Sequence, residues 1–397
     1  MSFADYYLDS RTLAPVIIEE QPSVNLGMVV MIPACNEPCI IDTIRSIAEC
    51  FHPECDVEVI VVINEPENAS LQIKEMNRQS VIQLAEWKAM NKNVFFLLHT
   101  VMPEPFTTKH AGVGWARKTG MDEAVRRFNL INRPSGVIIS LDADTLVDKN
   151  YLVEIEKLFS AERPPVGATI RFSHRVDELS DEWHKVGITL YEKYLNYYKN
   201  ALSYCGYPHA IHTVGSAFAV RADAYVKQGG MNRRQAGEDF YFLHKLTQLG
   251  KLSELNTTCV YPSGRVSDRV PFGTGAAIMK WMNGDDRITN TYNLSSFVDL
   301  RCFFDLAGRF FEGTKLIDCN IPAPIYRFLN EIGFDKTLDE IRDNCSSFDT
   351  FVKRFFQKFN AFTIMKFQNS SHACGDYEWQ NLNEAVDELN KKVRWNI

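Results

Sequence analysis

Two acids end an apolar run near the middle of the chain. Asp142 and Asp144 follow Val137-Ile-Ile-Ser-Leu141 at positions i and i+2. A continuous apolar run of this length reads as a short strand covered on both faces, expected over 137–141. At its carboxyl end the i and i+2 side chains lean to one side, and in open α/β sheets ligands bind at that end. Two neighbouring carboxylates repel unless a cation or a hydrogen-bond donor lies between them. One reading is a hard divalent cation, Mg²⁺ or Mn²⁺, held for a substrate that brings its own oxygens, as a diphosphate does. The other is a solvated turn in which one aspartate caps the helix that starts near Asp148.

A second acid pair, Glu238-Asp239, follows Gly237 at a helix start. Acids there gain roughly 0.3–1 kcal/mol from the helix dipole. Equally, a carboxylate within reach of an attacking hydroxyl acts as a general base. Gly112-Val-Gly-Trp-Ala-Arg-Lys-Thr-Gly120 opens a helix with Arg117 and Lys118. Either its glycines and helix N-terminus receive an anion, or it is a connector with Arg117 in solvent. Between 261 and 275, Arg265 and Arg269 share a loop that either closes over a diphosphate as a lid or pairs with surface acids.

Strands and helices must bring these segments together. Buried strands are expected over 28–32, 57–63 and 94–98, with helices over 39–50, 71–90 and 111–128. Pro33 is expected to stop the first strand's ladder, and Pro38 suits the first turn of the next helix. Alternation at this spacing predicts a doubly wound, mainly parallel sheet. Beyond Asp144, strands are expected over 166–172, 213–220 and 258–261, and helices over 183–202 and 239–249. After Gly275 the chain turns helical and rich in phenylalanine. The first turn is Pro33-Ala-Cys-Asn-Glu37, with neither the Gly-x-Gly-x-x-Gly of a dinucleotide-binding domain nor a Walker A loop.

The order of these segments resembles glycosyltransferase family 2 on the GT-A fold. Pro33-Ala-Cys-Asn-Glu37 comes after strand one, Gly-x-Gly-x-Ala-Arg at 112–117 and Leu-Asp-Ala-Asp at 141–144. Gly215-Ser216 with Arg221 and Gly229-Gly230 follow, then Glu238-Asp239. The resemblance implies an α/β GT-A domain over 27–275, its doubly wound sheet flanked by helices. An N-terminal arm over 1–26 precedes it, and a mostly helical region over 276–397 follows. It implies metal-dependent transfer of a sugar from a nucleoside-diphosphate-sugar donor to a hydroxyl on a glycan or lipid-linked glycan, inverting by single displacement, as in polysaccharide biosynthesis.

Residue by residue, it implies nucleoside contacts from Pro33, Ala34 and Glu37. Asp144 ligates the Mn²⁺ or Mg²⁺ that bridges the diphosphate, and Asp142 contacts the ribose or the metal shell. Arg117 lies near the nucleotide, Gly215 and Ser216 line the donor site, and Asp239, with Glu238 beside it, supplies the base. Arg265 and Arg269 are the loop cations for the diphosphate. Asn64-Glu65 stands where the family commonly has an aspartate that reads the base, which leaves the base open. The Gln-x-x-Arg-Trp motif of processive synthases is missing from 261–275, so a non-processive enzyme is expected.

A net charge of −7 gives no general reason to expect nucleic acid as a partner. No run approaches the ~20 apolar residues of a membrane span, and residues 1–10 lack the basic start and apolar core of a secretory signal. A cytoplasmic protein is expected. Ten cysteines form no Cys-x-x-Cys pair, and most are expected as buried thiols. Phe348, Phe351, Val352, Phe355, Phe356, Phe359 and Phe362 fall on one face of a single helix, with Lys353, Arg354 and Lys358 elsewhere. That helix either meets an anionic membrane at its inner face or packs on the catalytic domain. Two further function classes stand beside the transferase. One is a nucleotidyltransferase, whose glycine-rich loop with Arg and Lys after strand one is absent. The other is an inactive sugar-nucleotide-binding scaffold.

Overall fold

The first strand, β1 (Leu26–Ala34), is buried along its whole length, as a strand covered on both faces must be. The computed structural model describes residues 2–12, 16–107, 112–232, 237–266 and 273–394, and β1 lies inside an eight-stranded sheet. β2 (Asp56–Ile63) pairs with it in parallel on one side and β4 (Val137–Ser140) on the other, with β3 (Phe96–Val101) outside β2. A short helix α1 (Asp5–Arg11) precedes β1, and α2 (Ile40–Ala48), α3 (Leu71–Met90) and α4 (Val113–Leu130) link the four strands. Side chains alternate across β1. Met28, Val30 and Ile32 join one core with Ile40, Ile44 and Ile47 of α2 and Leu84 of α3, while Met31 meets α4. That approach requires a glycine at position 120, where a Cβ would stand 2.4 Å from Met31 Cγ and 2.9 Å from Val62 Cγ2.

Past β4 come β5 (Leu146–Val147), α5 (Tyr151–Phe159), β6 (Gly167–Phe172) and α6 (Glu182–Tyr204). β7 (Phe218–Arg221), α7 (Ala222–Gln228), α8 (Glu238–Leu246) and β8 (Leu252–Tyr261) follow. The sheet order is β3-β2-β1-β4-β7-β6-β8-β5. β7 runs antiparallel to β4 and β6, β5 runs antiparallel to β8, and β6 and β8 are parallel. The result is the mixed, mainly parallel α/β sheet flanked by helices that was expected.

Three local expectations are corrected. Pro33 does not stop β1, since it pairs with Val62 of β2. The Met31 carbonyl faces β4, accepting from Leu141 N–H at 3.1 Å, so Pro33 two residues on faces the same side, beyond the end of β4. Its missing N–H therefore breaks no ladder. Residues 213–217 are turn and irregular chain, and the strand begins only at Phe218. β8 runs for ten residues, because its partly exposed first half pairs with β6 without an apolar run to announce it.

The chain divides into two compact units, one of Met1–Ser180 with Thr213–Ala276 and one of Asp181–His212 with Ala277–Ile397. The first holds the sheet and includes the N-terminal arm. The second takes in residues 181–212, expected within the catalytic domain. Its helices are α6, α9 (Thr274–Met282), α10 (Leu294–Phe304), α11 (Ala307–Phe311), α12 (Ala323–Glu331), α13 (Phe334–Asp343), α14 (Phe348–Lys358), α15 (Ala361–Ala373) and α16 (Leu382–Arg394), α9 starting in the sheet unit. Two-residue strands β9 (Asn290–Thr291) and β10 (Gln380–Asn381) pair antiparallel.

The phenylalanine stripe over 348–362 is not one helix. α14 stops at Lys358, and the Asn360 side chain caps α15, accepting from Phe362 N at 3.0 Å and Thr363 N at 3.3 Å. Phe351, Phe355, Phe356 and Phe359 are buried. Phe303 stacks among them, with ring centroids 5.4 Å from Phe355 and 5.0 Å from Phe359. An interfacial helix needs that face at the surface; here it is core, which corrects the membrane reading of this segment. Among the described residues no helix is long and apolar enough to cross a membrane. Only Cys50, Cys205 and Cys259 of the ten free cysteines are buried, so burial of most of them is also corrected.

Candidate active site

β1, β2 and β4 are parallel, so the turns that follow them lie at one edge of the sheet. The first and second turns are stitched together. Asn64 N–H donates to the Ala34 carbonyl at 2.9 Å. The buried Asn77 of α3 accepts from Asn36 N–H at 2.9 Å and donates to the Asn64 carbonyl at 3.3 Å. Ser80, one turn further, donates to the Glu37 carbonyl at 3.2 Å. Asn36 has φ +51°, a conformation that asparagine tolerates better than most residues. Pro33 and Ala34 are buried in the strand end, and Asn64 is 6% exposed. Asn77 and Ser80 belong to the site's frame, and only their polarity at buried helical positions marks them in the sequence.

After β4 the backbone turns, with Thr145 N–H bonded to the Asp142 carbonyl at 3.1 Å and Thr43 Oγ1 of α2 bonded to the Ala143 carbonyl at 2.9 Å. Leu141 and Ala143 are buried while Asp142 and Asp144 are partly exposed, the alternation expected. Each carboxylate has its own arginine. Arg117 binds Asp142, and Arg265 lies 3.0 Å from Asp144. The repulsion between the two acids is thus relieved by side chains of the chain itself.

Arg117 is 2% exposed, and its guanidinium joins Asp142 after β4 to Glu238 at the start of α8. Burial disfavours its charge, but Asp142 and then Glu238 outweigh that and hold it protonated. Its guanidinium is thus held by two of the chain's own acids. Lys118 is likewise spent, 2.9 Å from Asp122. Gly215 makes room for the arginine, since a Cβ there would stand 2.6 Å from Arg117 Nη1. The Gly215 carbonyl accepts Ser140 Oγ at 2.8 Å, and Ser216 is 1% exposed. Gly215 thus packs against Arg117, and both Gly215 and Ser216 are buried.

Glu238 and Asp239 differ sharply. Glu238 is buried against Arg117, and burial pushes its carboxyl up to about 7 against the opposing field of that arginine. Asp239 keeps partial exposure, with one oxygen accepting from Phe240 N–H at 2.7 Å. Burial raises its proton affinity, and the field of Arg117 opposes this. Glu37 is 2% exposed and holds Arg265 through both carboxylate oxygens, one at 2.9 Å, so its side chain anchors the loop and not a nucleoside. Arg269 lies outside the described residues. Among those described, no group of three or more His, Cys, Asp or Glu side chains is placed to hold a metal ion. Asp144 and Asp142 are hard oxygen donors at one turn, a set suited to Mg²⁺ or Mn²⁺ only where substrate phosphates complete the shell.

The glycosyl transferase family 2 model matches residues 29–228, half of the chain, and the chain belongs to that family and is a glycosyltransferase. The matched span runs from β1 to the end of α7 and stops ahead of Glu238. Among solved structures, Staphylococcus aureus TarS 1–349 in complex with UDP-GlcNAc is 15% identical with a TM-score of 0.44, over 84% of this chain and 91% of that one. Mannosyltransferase PcManGT from Pyrobaculum calidifontis, in complex with GDP-Man and Mn²⁺, is 14% identical with a TM-score of 0.38, over 94% and 86%. No match was found among curated proteins.

Proposed function

We propose that the sheet unit binds a nucleoside-diphosphate sugar across the turns after β1, β2 and β4, and that Asp239 is the base for an inverting transfer to an acceptor hydroxyl. The observation that carries this reading is the Arg117 bridge, which ties the donor-side aspartate Asp142 to the start of the helix bearing Asp239. Residues 117, 142 and 238 are far apart in sequence, and one buried guanidinium brings a diphosphate-binding edge and an available carboxylate together.

The chemistry follows from those groups. The acceptor O–H gives its proton to Asp239 as its oxygen forms a bond to the anomeric carbon. The bond from that carbon to the phosphate oxygen breaks, and the nucleoside diphosphate leaves with the electron pair. Charge develops on the leaving group, where Arg265, 3.0 Å from Asp144, stabilises it electrostatically. Asp144, with Asp142, would hold a divalent cation, which when bound neutralises the diphosphate further. The acceptor is a hydroxyl of a glycan, free or lipid-linked.

Calorimetric titration with UDP, GDP, CDP and ADP, each with and without Mn²⁺, tests the donor site. One nucleotide binding only with metal is the expected result, lost in Asp144→Ala. No binding to any of the four, in either condition, would shift the chain to an inactive scaffold. An anomeric configuration retained from donor to product would remove Asp239 from the role of base.

A further inference from the structure

A second buried charge cluster lies on α4 behind the site, and the transfer chemistry makes no use of it. Asp122 is 3% exposed and accepts Tyr7 OH at 2.7 Å and Tyr225 OH at 2.8 Å, with Lys118 Nζ 2.9 Å away. Lys118 also donates to Tyr7 OH at 2.9 Å. Tyr7 belongs to α1, so a residue near the chain's start closes a network otherwise built from α4 and α7. The helix is fixed at its other end too, where Ala4 N–H donates to Asn129 Oδ1 at 2.9 Å and Asn129 Nδ2 donates to Asp5 Oδ1 at 2.7 Å.

We propose that α1 is a positioning element of the transfer site, in which Tyr7 seats the backbone at Gly230 and so, through Asn232, holds Glu238 at the start of the helix that bears Asp239. A Cβ on Gly230 would stand 1.9 Å from Tyr7 OH and 3.2 Å from Lys118 Nζ, so the backbone there rests directly against both side chains. Its φ of +78° adds a second reason for glycine. Gly230 N–H donates to the Tyr225 carbonyl at 2.9 Å, which fixes the same point to α7. Two residues on, Asn232 Nδ2 donates to the Glu238 carbonyl at 2.9 Å, which ties Asn232 to the first residue of α8. Adjacent residues of α4 thus meet both points, Lys118 beside Gly230 and Arg117 on Glu238. Burial raises the proton affinity of Asp122, and Lys118 and the two tyrosine hydroxyls oppose that. A network of this kind is rigid only when fully satisfied, so loss of one hydroxyl loosens all of it.

The inference rests on Asp239 as the base, but its test does not. Hydrogen exchange of the full-length chain is compared for wild type, Tyr7→Phe and Tyr7→Ala. Tyr7→Phe keeps the ring and removes only the hydroxyl, so it reports even where Tyr7→Ala does not fold. The expected result is a rise of roughly tenfold in exchange over the first two turns of α8, with β1 and β2 unchanged. Of UDP-glucose, UDP-GlcNAc and GDP-mannose, the donor hydrolysed fastest by wild type then serves as probe. With it, Tyr7→Phe lowers kcat by about three- to tenfold and leaves KM within about twofold. Faster exchange confined to α1 and α4 overturns the inference, because Tyr7 then only covers α4. Unchanged α8 exchange overturns it even where Asp239→Asn is inactive. A fully active Asp239→Asn overturns the base assignment instead, whatever the exchange shows.

Discussion

Asp239, the proposed base, and Glu238 are adjacent acids that share one arginine. Burial raises the proton affinity of both and Arg117 opposes it in both, but Arg117 is ion-paired to the buried Glu238 while Asp239 keeps partial exposure. A base must be ionised, so kcat/KM falls as the pH drops through the raised value, and its acid limb lies above the ordinary aspartate value of 3.8. Asp239→Asn is expected to lower kcat by about 10²–10⁴-fold while nucleotide affinity persists. The same shift affects stability. A carboxyl whose proton affinity is higher folded than unfolded contributes stability below its unfolded pKa, and that contribution is lost as pH rises through the folded pKa. At pH 7 the ionised group is a burden on the fold, so Asp239→Asn should melt higher than wild type, with the gap closing toward pH 4. A lower melting temperature at pH 7 would contradict the burial assigned to this residue. The acids themselves were legible as i, i+2 and adjacent pairs at element ends. Their partners were not, because Arg117 to Glu238 spans 121 residues and no local pattern encodes a contact at that range.

Elements were legible where the apolar pattern was dense. The strands near 28–32 and 57–63 appear almost as read, because their runs of Val, Ile and Met are buried almost throughout. Where tertiary contact decides, the pattern failed. Gly120 lies in the expected helix, but nothing local in the sequence marks it as the point where α4 touches β1 and β2. α1 has only one buried residue among its seven, Tyr7, whose partners lie on other elements. Gly120→Ala puts a methyl group 2.4 Å from Met31 Cγ and should destabilise the protein by about 1–3 kcal/mol. Arg117 rides on the same helix one turn earlier, so any displacement reaches the bridge as well. A lowered denaturant midpoint together with weaker nucleoside diphosphate binding is the expected pair of results. A lowered midpoint with unchanged binding would show that the sheet edge accommodates the shift without moving Arg117.

At the scale of the whole molecule, the residues proposed for the donor edge and the base belong to one compact unit. Glu37, Arg117, Asp142, Asp144, Asp239 and Arg265 all fall within Met1–Ser180 and Thr213–Ala276. The other unit draws its cohesion from aromatic packing. Phe355 is buried, with ring centroids 5.4 Å from Phe303, 5.8 Å from Phe334 and 5.1 Å from Phe356. Removing that ring opens a cavity that well-packed neighbours fill only in part, and Phe355→Ala should destabilise the helical unit by about 3–5 kcal/mol. Because none of the proposed donor-site residues named above lies in that unit, nucleoside diphosphate affinity at 25 °C should stay within about twofold of wild type while the folded fraction is high. Calorimetric unfolding separates the possibilities. An early transition that shifts down alone, with a later one still raised by added nucleotide, marks two cooperative units. A single transition that shifts as a whole, with nucleotide affinity falling alongside, would mean that the sheet unit does not hold its site without the helical one.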